Sequence, residues 1–256
     1  MQDEIEFLGL QFANLTLDGA VRKLAQFIEE RTPHMVSAPN AALLVWSCSD
    51  KNLRKIYERS HLLTVDSVGV FWAMRILGKP VREAIGTTRF MFRFIEYAAN
   101  KGYRLYLLGS RETVVEKAVG NLCQKYPGLR IVGWHDGYFD FNQDSDIVNT
   151  IRDARPDVLL IGMSSPMKEE FVSKNLHRFN VPVCLGVGGA FDIAAGVRRL
   201  APGWVSKIGL EWFYRLAQEP KRLWKRYLIT NSVFIWLVLG EFMKGLFGSG
   251  KRRKNL

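Results

Sequence analysis

The strongest constraint on the fold is an alternation of two kinds of segment. Over roughly the first 190 residues, short apolar runs trade places with longer amphipathic ones. The runs at 34–38, 62–66, 103–109, 130–134, 157–163 and 181–187 are mostly apolar and end near Gly, Asp or Ser, as strands do. Helical spacing fills 18–31, 40–58, 67–77, 88–101, 111–125, 143–154 and 166–178. Strands that are apolar throughout must be covered on both faces. The expected fold is therefore α/β, a Rossmann-like, mostly parallel sheet with helices on both sides.

After Gly196 the alternation stops. The stretch LEWFYRLAQEPKRLWKRYL (210–228) interleaves aromatic and cationic residues at helical spacing, and 227–240 is a run of 14 residues without a formal charge. That run is too short to span a bilayer, which takes roughly 20 apolar residues. Charge divides at the same place. Residues 196–256 hold 13 Lys or Arg against 3 Asp or Glu, leaving 23 against 22 in the rest. Two parts are expected: an α/β domain over 1–195, and a basic, aromatic helical appendage over 196–256. A nearly neutral body with a basic tail calls for an anionic partner: phosphate, nucleic acid or anionic lipid. An apolar run followed by KRRK (251–254) fits a helix lying on an anionic membrane surface. A buried helix with a solvated basic end is the plainer alternative.

Cys48, Cys123 and Cys184 are widely separated, and His34, His61, His135 and His177 do not cluster, so neither a disulfide framework nor a metal site is expected. The acidic beginning MQDEIEFLGL is unlike a signal peptide.

Four strand ends carry residues with chemistry. Asp66, in LTVDSVGV, can act as a general base or cap the following helix. Gly109 and Ser110, in YLLGSRETVVEKA, form a turn whose N–H groups can hold a phosphate or ribose, with Ser110 a candidate helix cap. In IGMSSPMKEEF, capping and exposed charge explain most of the pattern, but not Lys168, which opposes the helix dipole. GVGGAFDIAAGVRR places Gly188, Gly189, Asp192 and two arginines together, which favours a nucleotide site.

These segments resemble the WecG/TagA/CpsF glycosyltransferases, glycosyltransferase family twenty-six, from about Asn40 to Tyr227. The resemblance rests chiefly on GVGGAFDIAAG, RLAPGW and GLEWFYRLAQEPKRLWKRYL in order, with LGS…YPGLRIVGWHDGYF and TVDSVGV in support. It implies a metal-independent, inverting transferase with no cofactor. Such an enzyme moves a sugar from a UDP-sugar onto a polyprenyl-diphosphate-linked sugar at the inner face of the cell membrane, in cell-surface polysaccharide synthesis. By position, Asp66 is the implied base, Asn40 lines the sugar pocket, and Tyr138 and Asp192 contact the nucleoside. Arg215 and Arg222, with Lys225 or Arg226 nearby, meet the diphosphate. The chain departs from the family where Thr-x-Asn reads Ala38-Pro39-Asn40, at 82–88, and where P-K-Q-E reads Pro166-Met167-Lys168-Glu169. All three lie where sugars bind, which points to a donor other than N-acetylmannosamine or its uronic acid, such as UDP-glucose. The rival classes are a nucleic-acid-binding protein and a non-catalytic membrane scaffold. Neither employs the strand-end Asp and Gly-rich turns, so no nucleic-acid partner is expected.

Overall fold

A computed structural model describes residues 3–141, 143–203, 205 and 210–248, with the side chains of 222 and 245–248 outside that description. Six strands form one parallel sheet: β3 (His34–Ser37), β4 (Leu62–Leu63), β5 (Arg104–Gly109), β6 (Arg130–His135), β7 (Val158–Gly162) and β8 (Val183–Gly186), in the order β4-β3-β8-β7-β5-β6. All six lie at the expected positions.

Both faces of the sheet are buried, which explains why these strands are apolar without a period of two. Along β5, Leu105 and Leu107 join one core cluster while Tyr106 and Leu108 join the other. The first cluster is closed by α1 (Leu17–Glu30), α5 (Thr87–Lys101), α6 (Glu112–Lys125) and α9 (Ala190–Ala194). The second is closed by α7 (Ser145–Ala154) and α8 (Met167–Phe179).

Two local features differ from the expectation. The acidic beginning is a hairpin, β1 (Glu4–Phe7) and β2 (Leu10–Ala13), turning through Leu8 and Gly9 at φ 50° and 70°. Positive φ at both turn residues suits the right-handed twist of a two-residue hairpin. Ile5, Phe7, Leu10 and Phe12 alternate onto a third core cluster. The helix expected over 40–58 is two, α2 (Ala41–Ser49) and α3 (Lys51–Glu58). Asp50 breaks it by accepting from the N–H groups of Asn52 and Leu53, so it ends one helix and caps the next.

The third cluster also holds α4 (Val68–Ile76) and the C-terminal helix. A short α10 (Glu211–Gln218) leads into α11 (Pro220–Gly248), which runs well past the apolar stretch in both directions. Leu223, Thr230 and Phe234 are buried on its inner side, and Phe234 packs edge-on to Phe7 at 6.3 Å. The Arg226 guanidinium lies 4.6 Å from the Trp46 ring centre of α2. Its outer side exposes Trp224, Leu228, Ile235, Trp236, Leu239 and Phe242. Among the described residues no helix is long and apolar enough to cross a membrane. Trp204 of the RLAPGW segment and the KRRK cluster lie outside the described residues.

Candidate active site

The parallel sheet delivers the expected site residues of the α/β body to one edge, because they follow the carboxyl ends of its strands. In sheet order, Asp66 follows β4, Asn40 follows β3, Gly188 and Gly189 follow β8, Lys168 follows β7, Gly109 and Ser110 close β5, and Tyr138 follows β6. From β4 to β5 the row covers roughly 19 Å, four strand spacings of about 4.8 Å.

One end of the row is a close backbone crossing. The chain leaves β5 toward β6 but leaves β7 toward β8, so the two neighbours part at their carboxyl ends, the usual place for a ligand in such sheets. There Gly109 pairs with Gly162, and a Cβ on Gly109 would stand 2.6 Å from the Gly162 carbonyl group. Ser110, at φ 63°, does not cap α6: its N–H donates to Gly162 O at 3.0 Å, and its hydroxyl donates to Asp192 Oδ1 at 3.1 Å. The N–H of Gly137 donates to Ser110 O at 2.9 Å, which brings the exposed Tyr138 alongside. Asp192 Oδ2 pairs with Arg198 at 3.3 Å, and Arg198 also reaches Glu219 at 2.8 Å, tying this end to the α10–α11 joint. Gly188 has φ 52°, and Gly189 leaves room for the Arg198 guanidinium, 3.2 Å from where a Cβ would stand.

In the middle of the row Glu170 is exposed, as the sequence suggests, but Lys168 and Glu169 are not. Lys168 and Glu169 are buried, at 8% and 3% exposure, and pair at 2.6 Å. Ser165 donates to the same Glu169 oxygen at 2.9 Å, and the Tyr57 hydroxyl is 3.5 Å from it. Burial, reinforced by Glu169, pushes the Tyr57 phenol far above its usual range, so it remains a donor.

At the other end, Asp66 does not cap α4, whose cap is Ser67. Its Oδ1 accepts from the backbone N–H of Thr87 at 2.7 Å and from the Thr87 hydroxyl. Burial lifts the Asp66 carboxyl above the ordinary range. The Thr87 hydrogen bonds and the charge of Arg215 pull it partly back, and Glu211 pushes it up. Arg215 is exposed on α10, so the C-terminal segment brings a cation within electrostatic reach of the strand-end carboxylate. Asn40 caps α2, its Oδ1 accepting from Leu43 N at 3.2 Å. Lys225 is exposed on α11; the Arg222 side chain lies outside the described residues.

Sequence reasoning did not assign Thr87, Tyr57, Ser165 or Glu169. Thr87 opens α5 directly after Gly86, but its partner lies 21 residues back, so no local pattern marks it. Among the described residues no group of His, Cys, Asp and Glu could hold a metal ion.

A sequence profile described as "Glycosyl transferase WecG/TagA/CpsF family" matches residues 5–246. The chain belongs to this family. The match extends beyond Asn40–Tyr227 to take in the β1–β2 hairpin and most of α11. A Bacillus subtilis (strain 168) relative is 29% identical over 222 residues, covering 86% of this chain and 85% of its own. A Staphylococcus aureus (strain MW2) relative is 27% identical over 236 residues, covering 91% of each chain. Both are named N-acetylglucosaminyldiphosphoundecaprenol N-acetyl-beta-D-mannosaminyltransferase.

Proposed function

We propose that this member of the family is an inverting glycosyltransferase. It moves a hexose or N-acetylhexosamine from a UDP-sugar onto a sugar carried by a polyprenyl diphosphate. The observation that carries this is the row itself: a carboxylate with a cation in reach at one end, and a glycine crossing with Ser110 and Asp192 at the other. The names of the two relatives describe a transfer onto a diphosphate-linked lipid sugar, in keeping with this acceptor.

In this reading UDP lies over the Gly109–Gly162 crossing. Its ribose or base is held by Asp192 and Tyr138, and the glycines after β8 let its phosphates approach the backbone. Asp66 takes the proton of the acceptor hydroxyl. That oxygen attacks the anomeric carbon from the face opposite UDP, the bond from that carbon to UDP breaks, and the configuration inverts. Arg215, with Arg222 and Lys225 as further contributors, balances the charge on the departing diphosphate, so no metal is required. Asn40 lines the sugar pocket beside the base. The basic C-terminal helices rest on the anionic inner face of the cell membrane, where the acceptor resides.

The test is turnover of radiolabelled UDP-sugars with a polyprenyl-diphosphate-linked N-acetylglucosamine acceptor, with the product anomer read by NMR. A labelled lipid of inverted anomeric configuration is expected. A product of retained configuration, or the lack of UDP binding at millimolar concentration, would overturn the reading.

A further inference from the structure

We propose that a cavity at the opposite edge of the sheet binds a sugar phosphate, at a site separate from the row of strand ends. The cavity measures about 460 Å³ and is lined chiefly by Arg31, Arg152, Asp153, Arg155, Asp157 and Asn180. Asp157 and Pro182, also in its wall, stand directly before β7 and β8. It therefore opens at the amino ends of these strands. The length of β7, five residues or roughly 16 Å, separates it from the carboxyl ends.

Three helices end at this cavity. Arg31 closes α1, Arg155 closes α7 and Asn180 closes α8, with φ of 58°, 47° and 52°. Among the described residues two other non-glycine residues have positive φ: Leu8 in the hairpin turn and Ser110 at the row. Asparagine visits that region readily. Arginine is held there at a cost that glycine, the usual residue at such a helix end, avoids.

At α1 the arginine has a structural account. It reaches Asp157 at 3.0 Å, and the last turn of that helix has no other cation. At α7 this account fails. Arg152 already supplies the last-turn cation that a helix dipole favours, and Arg104 donates to the Ala154 carbonyl at 2.7 Å. The carboxylates in the wall are also taken. Asp157 accepts from Arg31 and from the Arg104 N–H, and Asp153 pairs with Arg152 at 3.1 Å. Among the described residues neither the Arg155 guanidinium nor the Asn180 amide has a side-chain partner.

An unpaired guanidinium and an unpaired amide on one cavity fit a phosphate carried by a polyhydroxyl body. The planar fork of arginine takes two phosphate oxygens at once. The amide both donates to and accepts from hydroxyl groups. Three arginines against two aspartates leave one positive charge in the wall. The volume is within the usual range for small-molecule sites and leaves room for a sugar beside the phosphate.

Calorimetry with glucose 1-phosphate on the full chain tests the proposal. Saturable binding at millimolar concentration is expected, unchanged by excess UDP, with inorganic phosphate binding more weakly. Arg155→Gly frees the backbone from its positive-φ cost, so it should melt no lower than wild type. It should bind glucose 1-phosphate at least ten-fold more weakly. Asn180→Gly should bring glucose 1-phosphate down toward the affinity of inorganic phosphate. Absence of saturable binding by the wild type overturns the proposal whether or not the variants fold. So does displacement of glucose 1-phosphate by UDP, which would place it at the row of strand ends, and so does undiminished binding by Arg155→Gly.

Discussion

Thr87 holds Asp66 with two donors on one carboxylate oxygen, its backbone N–H at 2.7 Å and its hydroxyl. The two residues belong to different elements, the strand end after β4 and the start of α5. The pairing fixes where the carboxylate points and opposes the rise in its proton affinity caused by burial. A base acts deprotonated, so activity should rise with pH through an acid limb above the ordinary carboxylate range. Thr87→Val keeps the backbone donor and removes the hydroxyl, which destabilises the anion. The limb in kcat/KM should move to higher pH. A limb unmoved or shifted down would separate Thr87 from the base.

Asp66→Asn keeps the shape and removes the basicity. Turnover should fall by roughly 10²-fold or more, with UDP affinity barely changed. The same variant makes a stability prediction. A carboxyl whose proton affinity is raised on folding contributes stability in its protonated form, and that contribution is lost as pH rises through the folded value. Asp66→Asn should therefore melt higher than wild type at neutral pH, with the gap closing as pH falls toward the unfolded value. Equal melting temperatures at neutral pH would show that burial does not penalise this charge.

Arg215 stabilises the Asp66 anion from α10. Arg215→Ala should shift the acid limb upward like Thr87→Val, and should also lower the plateau rate, since the departing diphosphate loses a partner. Arg215→Lys should restore the limb better than the plateau, because an ammonium keeps the charge but not the planar fork. Activity should survive EDTA; loss rescued by Mn²⁺ or Mg²⁺ would assign the diphosphate charge to a metal instead.

Gly109→Ala would place a methyl 2.6 Å from the Gly162 carbonyl group and force a side chain onto φ 128°. Backbone cannot yield as a flexible side chain can. The cost should be about 2 kcal/mol or more, read from a denaturant midpoint, together with loss of UDP binding. Gly120→Ala, inside α6 with nothing within 4 Å of its Cβ, is the control: it should leave UDP binding unchanged and raise stability by about 0.5–1 kcal/mol.

The two sides of α11 should behave differently. Phe234→Ala removes a ring packed on Phe7 and should cost about 3–5 kcal/mol. Replacing Trp224, Leu228 and Trp236 on the outer side with serine should leave stability near wild type and release the protein from anionic vesicles in co-sedimentation. Undiminished vesicle binding by that triple variant would assign membrane contact to another surface. Deleting 229–256 is a poorer test, because it also strips Thr230 and Phe234 from the core.

The six sheet strands were legible because burial on both faces writes short apolar runs that end near Gly, Asp or Ser and alternate with longer amphipathic segments. That Asp66, Asn40, Lys168, Ser110 and Tyr138 line up along one edge of the sheet was legible too, since each follows a strand end. What stayed hidden depends on distance or on depth. Asp66 and Thr87 meet across 21 residues. Lys168 and Glu169 look like surface charge in sequence, and only packing beneath β3 and β8 reveals them as buried. The hairpin was missed because its turn puts Leu8, not a glycine or asparagine, at φ 50°. The break at Asp50 was missed because the apolar spacing continues across it.

If, as proposed, each strand end meets a different part of the substrates, the row would behave as a set of independent dials. Changes at the middle strand ends would then retune the sugar while the two ends of the row keep their settings. Chains that share those ends would be free to diverge in the sugar they add, and the polymer could change its repeat without the catalyst being reinvented.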